Sequence, residues 1–155
     1  MSATRRPTRL GTEHRHTMQF LVVEDDPVMQ ILTPRMLHTL GYAARVATNG
    51  ADAIDACRAE PPDVILMDVQ MPRMDGLEAT RELRRLQREG ELPPFPIIVL
   101  SAYHAPAERA ACFDAGADGF VTKPLMIAKL ATEIHRVMTR RRGDVRIPLG
   151  GGESM

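Results

Sequence analysis

Polar residues follow four apolar segments of this 155-residue chain, and their types suit chemistry on a phosphate group. Taken singly, each could be a helix cap, a turn residue or an exposed side chain. Together they would form a cluster of carboxylates with one hydroxyl and one ammonium group. The residues are Glu24, Asp25 and Asp26 after FLVV, Asp68 after VILM, Ser101 after IIVL and Lys123 after DGFVT.

Several carboxylates in one place repel one another and raise each other's pKa unless a cation is bound. Oxygen ligands of this kind suit Mg²⁺, which commonly uses one or two carboxylates together with a phosphate oxygen. A metal ion and a lysine would neutralise the oxygens of a phosphoryl group, and a carboxylate can be the nucleophile that accepts it. The residue types therefore predict phosphoryl transfer, provided that the fold brings them together.

Apolar runs at 20–23, 64–67 and 97–100 are almost unbroken, which is typical of parallel strands buried on both faces. Weaker strands are predicted at 42–47 and 118–122. Helical spacing and end signals predict helices at about 27–40, 50–59, 75–89, 105–115 and 125–140, with Gly116 ending the fourth.

Strands and helices thus alternate five times, which predicts an α/β fold with right-handed crossovers. We expect a flavodoxin-like (βα)5 three-layer sandwich whose five-stranded parallel sheet has the order 2-1-3-4-5. In such a sheet ligands bind at the carboxyl ends of strands 1 and 3. The polar residues follow those strand ends.

Charge divides the chain into an acidic body and basic ends. Residues 18–135 hold 11 basic and 17 acidic side chains, whereas residues 1–17 and 136–155 are rich in Arg. The sequence predicts a disordered basic extension at 1–17, one domain at 18–140 and a disordered tail at 141–155. A run of three Arg such as Arg140–Arg142 more often stabilises the end of a helix than binds nucleic acid, so no direct nucleic-acid binding is expected.

The four motifs FLVVEDDP at 20–27, DVILMDVQMPRMDG at 63–76, IIVLSA at 97–102 and AGADGFVTKP at 115–124 closely resemble those of response-regulator receiver domains. The resemblance covers about residues 18–140. It implies that Asp68 accepts a phosphoryl group in a two-component phosphorelay. Asp25 would bind Mg²⁺ directly and Glu24 through water, with Asp68 and the Gln70 backbone carbonyl as further ligands.

The same resemblance implies roles for residues that respond to phosphorylation. Ser101 would be the hydroxyl that follows the phosphoryl oxygens, and Lys123 the cation that contacts them. Phe120 matches the aromatic switch residue, and Pro124 would follow a cis peptide bond.

Three departures from the family pattern, at Phe120, Asp26 and Pro34, bear on these expectations. Phe120 lacks the hydroxyl of the Tyr often found there, and Asp26 stands where Asn is common. Pro34 lies inside the first predicted helix, where it should kink or loosen the first turns. Gln70 and Tyr103 flank the path of a hydrolytic water, and the bulk of Tyr103 predicts a long-lived phosphoryl group.

Other functions compete with this one. An Asp-nucleophile phosphatase of the haloacid-dehalogenase type needs an acidic residue two positions after its nucleophile, where this chain has Gln70. A flavodoxin-like cofactor binder would meet phosphate with the like charges of Glu24–Asp26. A degenerate receiver that acts only as an interaction module would lack phosphorylation.

The partners follow from the resemblance. They would be a histidine kinase or a histidine phosphotransfer protein, together with a downstream protein that contacts helix 4, strand 5 and helix 5 at roughly 104–138. Homodimer formation on phosphorylation stays open. We expect no effector domain in this chain, so it would act by contact, either alone or as part of a hybrid sensor kinase. Because no apolar run is long enough for a membrane span, a cytoplasmic protein is expected. The resemblance implies a signalling domain rather than an enzyme.

Overall fold

The computed structural model describes residues 17–71, 75–103 and 105–146. Ten elements alternate along the chain. The strands are β1 (Gln19–Val23), β2 (Ala43–Ala47), β3 (Val64–Asp68), β4 (Ile97–Ser101) and β5 (Gly119–Thr122). The helices are α1 (Pro27–Thr39), α2 (Gly50–Ala59), α3 (Gly76–Arg88), α4 (Pro106–Ala115) and α5 (Ile127–Arg146).

The five strands form one parallel sheet in the order β2-β1-β3-β4-β5, which confirms the predicted fold and strand order. Every residue of β3 and β4 is buried, as their unbroken apolar sequences require. The register pairs Val23 with Met67 and Asp68 with Leu100. The carboxyl ends of β1, β3 and β4 therefore lie side by side.

Side chains alternate across the sheet and form a core on each face, so the molecule has three layers. One core includes Leu21, Ile65, Met67, Val99, Leu83 and Phe120, and the other includes Phe20, Leu66, Ile98, Leu37, Leu130 and Ile134. The second core joins α1 and α5 to the sheet through Leu37, Leu130 and Ile134. The two cores hold the strand ends rigidly.

Local signals fix the helix ends close to the predicted positions. The Asp26 side chain accepts a hydrogen bond from Met29 N at 3.3 Å and caps α1. Asp75 and Glu78 form a reciprocal capping box at the start of α3. Gly116 ends α4 in the left-handed region with φ of 116°, as its position in the sequence predicts.

α1 ends at Thr39 and contains Pro34 in its interior, close to its predicted bounds. One detail differs from the sequence-based expectations, since α5 continues to Arg146 rather than ending near residue 140. Arg is a good helix former, and Arg141 donates to Pro94 O and lies 3.6 Å from Asp118 Oδ1. These contacts anchor the helix where the tail was expected to begin.

Most of the predicted N-terminal extension, residues 1–16, and the last part of the predicted tail, residues 147–155, lie outside the described residues. Within the described ranges, no helix has both the length and the apolar character that a membrane crossing needs.

Candidate functional site

Three carboxylates meet where β1 and β3 end. Glu24 and Asp25 follow β1, Asp68 is the last residue of β3, and one oxygen from each lies within 4.8 Å of the others. Asp26, the third acidic residue of the sequence motif, instead caps α1. The structure thus separates the three adjacent acidic residues into a pair that faces Asp68 and a helix cap.

Glu24 is buried, with only 1% of its surface exposed. Its Oε2 atom accepts a hydrogen bond from Asp26 N at 3.2 Å, whereas Oε1 is buried without a hydrogen-bond partner among the described residues. Burial and the adjacent Asp68 carboxylate raise the pKa of Glu24 from 4.5 to about 7. A buried acidic oxygen without a donor, beside two other carboxylates, is an arrangement that a hard divalent cation such as Mg²⁺ fits.

Asp68 is buried and held by two donors. Its Oδ1 atom accepts hydrogen bonds from Lys123 Nζ at 2.9 Å and from the backbone N of Gln70 at 3.1 Å. Gly76 packs against the same turn, since a Cβ added there would lie 2.3 Å from Asp68 O. Only glycine permits this approach, which presses the start of α3 against the end of β3.

Lys123 reaches Asp68 from the end of β5, on the far side of β4. Its backbone N donates to Ser101 O at 2.9 Å, so the β5 terminus is joined to the β4 terminus. The Lys123–Pro124 peptide bond is cis. The ammonium group supplies positive charge beside the carboxylate cluster, and 27% of the Lys123 side chain stays exposed.

Ser101, buried at the end of β4, lies across from Gln70. Gln70 Nε2 donates to Ser101 Oγ at 3.2 Å, and Gln70 Oε1 accepts from Ala102 N at 3.1 Å. Ser101 Oγ also accepts from Tyr103 N and donates to Tyr103 O, each at 3.1 Å. The Tyr103 side chain itself is 58% exposed.

Phe120 is buried within β5 and lies away from the carboxylates, on the side of the sheet that carries α4. Its backbone N donates to Glu133 Oε2 at 2.8 Å, and the Arg109 guanidinium lies 5.1 Å from its ring centroid. Arg109 also lies 5.6 Å from the Phe113 ring. An open groove of about 420 Å³ between α4 and α5 is lined by Arg109, Phe120, Glu133, Thr122 and Lys129, among others.

The structure therefore brings Glu24, Asp25, Asp68 and Lys123 into one cluster, with Ser101 and Gln70 at its edge. Phe120 is the one residue of the predicted set that lies within the core. Sequence reasoning missed the side-chain bridge from Gln70 to Ser101, the Arg109 contact and the Glu133 contact. A basic residue 11 positions before an aromatic one carries no local signal that the two will stack.

Comparisons with known proteins agree with this arrangement. The model of the response regulator receiver domain family matches residues 20–135. The chain is 36% identical over 137 residues to the response regulator MprA of Mycolicibacterium vanbaalenii, which covers 88% of this chain and 55% of that protein. The chain therefore belongs to the response regulator receiver family and is a receiver domain of two-component signalling. It spans about half the length of the MprA relatives.

Solved structures give the same result. The receiver domain of the sensor histidine kinase PA1611 from Pseudomonas aeruginosa is 34% identical, with a TM-score of 0.66 over 81% of this chain and 97% of that one. That structure has a magnesium ion coordinated in its active-site cleft. The chemotaxis protein CheY4 of Vibrio cholerae is 25% identical, with a TM-score of 0.71 over 79% of this chain and 99% of that one.

Proposed function

We propose that Asp68 is the phosphoacceptor of a two-component phosphorelay. The observation that carries this proposal is the placement of Asp68, which is buried at a strand end between an acidic pair and the Lys123 ammonium group. A cluster of three carboxylates with a buried, unpaired oxygen lowers the stability of the fold, so the stability of the fold does not explain it. It suits a site that binds cation and phosphate.

The donor we infer is a phosphohistidine on a histidine kinase or a histidine phosphotransfer protein. An Asp68 carboxylate oxygen attacks phosphorus and forms an O–P bond while the N–P bond of the donor breaks. The electron pair of that bond returns to the imidazole nitrogen, which takes up a proton. Lys123 neutralises part of the charge on the transferred oxygens.

Glu24, Asp25 and Asp68 would hold Mg²⁺, with Glu24 acting through water and the Gln70 carbonyl as a further ligand. The ion would supply Lewis-acid neutralisation of the phosphoryl oxygens. The residues on the chain then have separate tasks. Asp68 provides the nucleophile, Lys123 provides fixed positive charge, and Ser101 provides a hydroxyl near the acceptor.

The output we propose is a change in protein contacts rather than turnover of a substrate. The groove between α4 and α5, which the buried Phe120 lines, belongs to the surface formed by roughly 104–138, where a downstream partner or a second copy would bind. Because Phe120 has no hydroxyl, its rearrangement would act through packing alone. The site of action we infer is the cytoplasm.

Acetyl phosphate with Mg²⁺ tests the acceptor directly. We expect intact-mass spectrometry to detect one added phosphoryl group on the unmodified chain, and none on Asp68→Asn. Asp114→Asn, at an exposed position on α4, is the matched control and should be labelled normally. Absence of labelling in all three would contradict the proposal and favour an interaction module.

The lifetime of the phosphoryl group remains a prediction from the bulk of Tyr103. Tyr103 is exposed and its backbone is joined to Ser101, which supports the proposed position of its ring beside the approach to Asp68. Loss of the label after removal of acetyl phosphate measures the lifetime. A half-life of seconds would contradict a shielding role for Tyr103.

A further inference from the structure

The Gln70 side chain connects two loops, although its partner Ser101 is 31 positions away in the sequence. It extends from the loop after β3 to the loop after β4, where its amide both donates to Ser101 Oγ and accepts from Ala102 N. The amide therefore holds one side chain and one backbone group at the start of the β4–α4 connection.

The Ser101 hydroxyl has no remaining hydrogen-bonding capacity in this arrangement. A hydroxyl can donate one hydrogen bond and accept two. Ser101 Oγ donates to Tyr103 O and accepts from Tyr103 N and Gln70 Nε2. Its proton is directed at a backbone carbonyl, so it cannot donate to a new anion at Asp68 unless this set of bonds changes.

Gln70 is also joined to the acceptor itself. Its backbone N donates to Asp68 Oδ1 at 3.1 Å, so one residue contacts the acceptor through its main chain and Ser101 through its side chain. A change in the charge or bonding of Asp68 Oδ1 acts directly on the backbone of Gln70, as it does on Lys123. The Ser101 contact lies at the other end of the same residue.

We propose that Gln70 is a positioning residue that latches Ser101 and the β4–α4 loop in the resting arrangement. This proposal rests on the proposed function, because the event that opens the latch is the arrival of a phosphoryl group on Asp68. Opening releases Ala102 N and lets Ser101 Oγ turn away from Tyr103 O, so that its proton can be donated to that group. The latch therefore opposes phosphoryl binding at equilibrium.

Removal of the latch should strengthen binding of a phosphoryl mimic. One neutral hydrogen bond to a buried group has a modest net effect, which corresponds to about a three- to tenfold change in affinity. The direction is informative, since a variant that merely damaged the site would bind more weakly. A role in guiding hydrolytic water would change a rate and leave this equilibrium unchanged.

The test is calorimetric titration with beryllium trifluoride in the presence of Mg²⁺. Gln70→Met keeps the length of the side chain and removes both amide hydrogen bonds, and we expect it to bind about three- to tenfold more tightly than the unmodified chain. Gln19→Met, at the opposite end of β1, is the matched control and should bind with unchanged affinity. Urea unfolding verifies that each variant is folded.

A double-mutant cycle assigns the effect to Ser101. In a Ser101→Ala background, Gln70→Met should retain less than half of its effect on a logarithmic scale, because the side-chain part of the latch is already absent. An undiminished effect would overturn the assignment to Ser101. Equal or weaker binding by Gln70→Met in the presence of Ser101 would overturn the latch itself.

Hydrogen exchange in the absence of a phosphoryl mimic tests the latch in the resting protein. The Ala102 amide should be protected in the unmodified chain and should exchange at least severalfold faster in Gln70→Met, which lacks the Gln70 Oε1 acceptor. Unchanged protection would overturn the proposal. Failure of the unmodified chain to bind beryllium trifluoride would instead contradict the acceptor role of Asp68, so the two failures are distinguishable.

Discussion

The Lys123 ammonium group lies 2.9 Å from Asp68 Oδ1, although the two residues are 55 positions apart in the sequence. The pair joins the end of β5 to the end of β3 across β4. Asp68 has only 2% of its side chain exposed, whereas Lys123 has 27%. The carboxylate therefore depends on this cation for compensation of its charge, while the lysine retains contact with solvent.

Lys123→Met should lower the free energy of unfolding by about 1–3 kcal/mol at pH 8 in the presence of EDTA, because it leaves a buried carboxylate without its cation. Urea unfolding measures the loss. In an Asp68→Asn background the same substitution should cost clearly less, since the neutral amide needs no ammonium partner. Lys129→Met, at an exposed position on α5, is the control and should change stability by less than about 0.5 kcal/mol. Equal losses in both backgrounds would mean that Lys123 stabilises the fold by packing.

Gly116→Ala should be more destabilising than Gly41→Ala. Both residues have positive φ, 116° and 95°, which costs a residue with a Cβ about 1–2 kcal/mol. At Gly116 the new Cβ would also lie 2.7 Å from Arg84 Cγ, whereas nothing lies within 4 Å at Gly41.

Arg84 cannot move away freely, because its guanidinium group donates to Gly116 O and Phe95 O and pairs with Asp118. We therefore expect a loss of about 2–3 kcal/mol for Gly116→Ala and about 1–2 kcal/mol for Gly41→Ala in urea unfolding. Equal losses for the two glycines would show that Arg84 repacks at no cost.

The backbone of the site was predictable from the sequence because parallel strands present their carboxyl ends at one edge. Unbroken apolar runs define β1, β3 and β4, and the residue that ends each run must then lie at that edge. Glu24, Asp68 and Ser101 meet for this reason. The strand order decides which of them are neighbours, and the register of β3 with β4 places Asp68 beside Leu100.

Side-chain directions were not predictable in the same way. Asp26 follows Asp25 directly, and the sequence alone is compatible with a role as helix cap or as metal ligand. In the structure the Asp26 side chain caps the start of α1. The Gln70 amide could have faced solvent, and its contact with Ser101 depends on rotamers and on loops that no local pattern encodes. The continuation of α5 likewise depends on the contact of Arg141 with Asp118, which is distant in sequence.

The pKa of Glu24 links the acidic cluster to pH. Because burial and the Asp68 carboxylate raise this pKa from 4.5 to about 7, the folded protein without metal binds the proton more tightly than the unfolded chain does. The contribution of this bound proton to the free energy of unfolding is fully present below pH 4.5 and is lost as pH rises through about 7. The ionised form of Glu24 is the one that suits a cation.

Glu24→Gln should therefore remove a specific part of the pH dependence. In EDTA, the difference in unfolding free energy between Glu24→Gln and the unmodified chain should shift in favour of the variant by about 1–3 kcal/mol between pH 5 and pH 8. Addition of Mg²⁺ should stabilise the unmodified chain more at pH 8 than at pH 5, because the metal binds the ionised carboxylate. If the difference in unfolding free energy between the two proteins stayed constant with pH, Glu24 would not titrate in this range. If Mg²⁺ stabilised the unmodified chain equally at both pH values, the ionisation of Glu24 would not control metal binding.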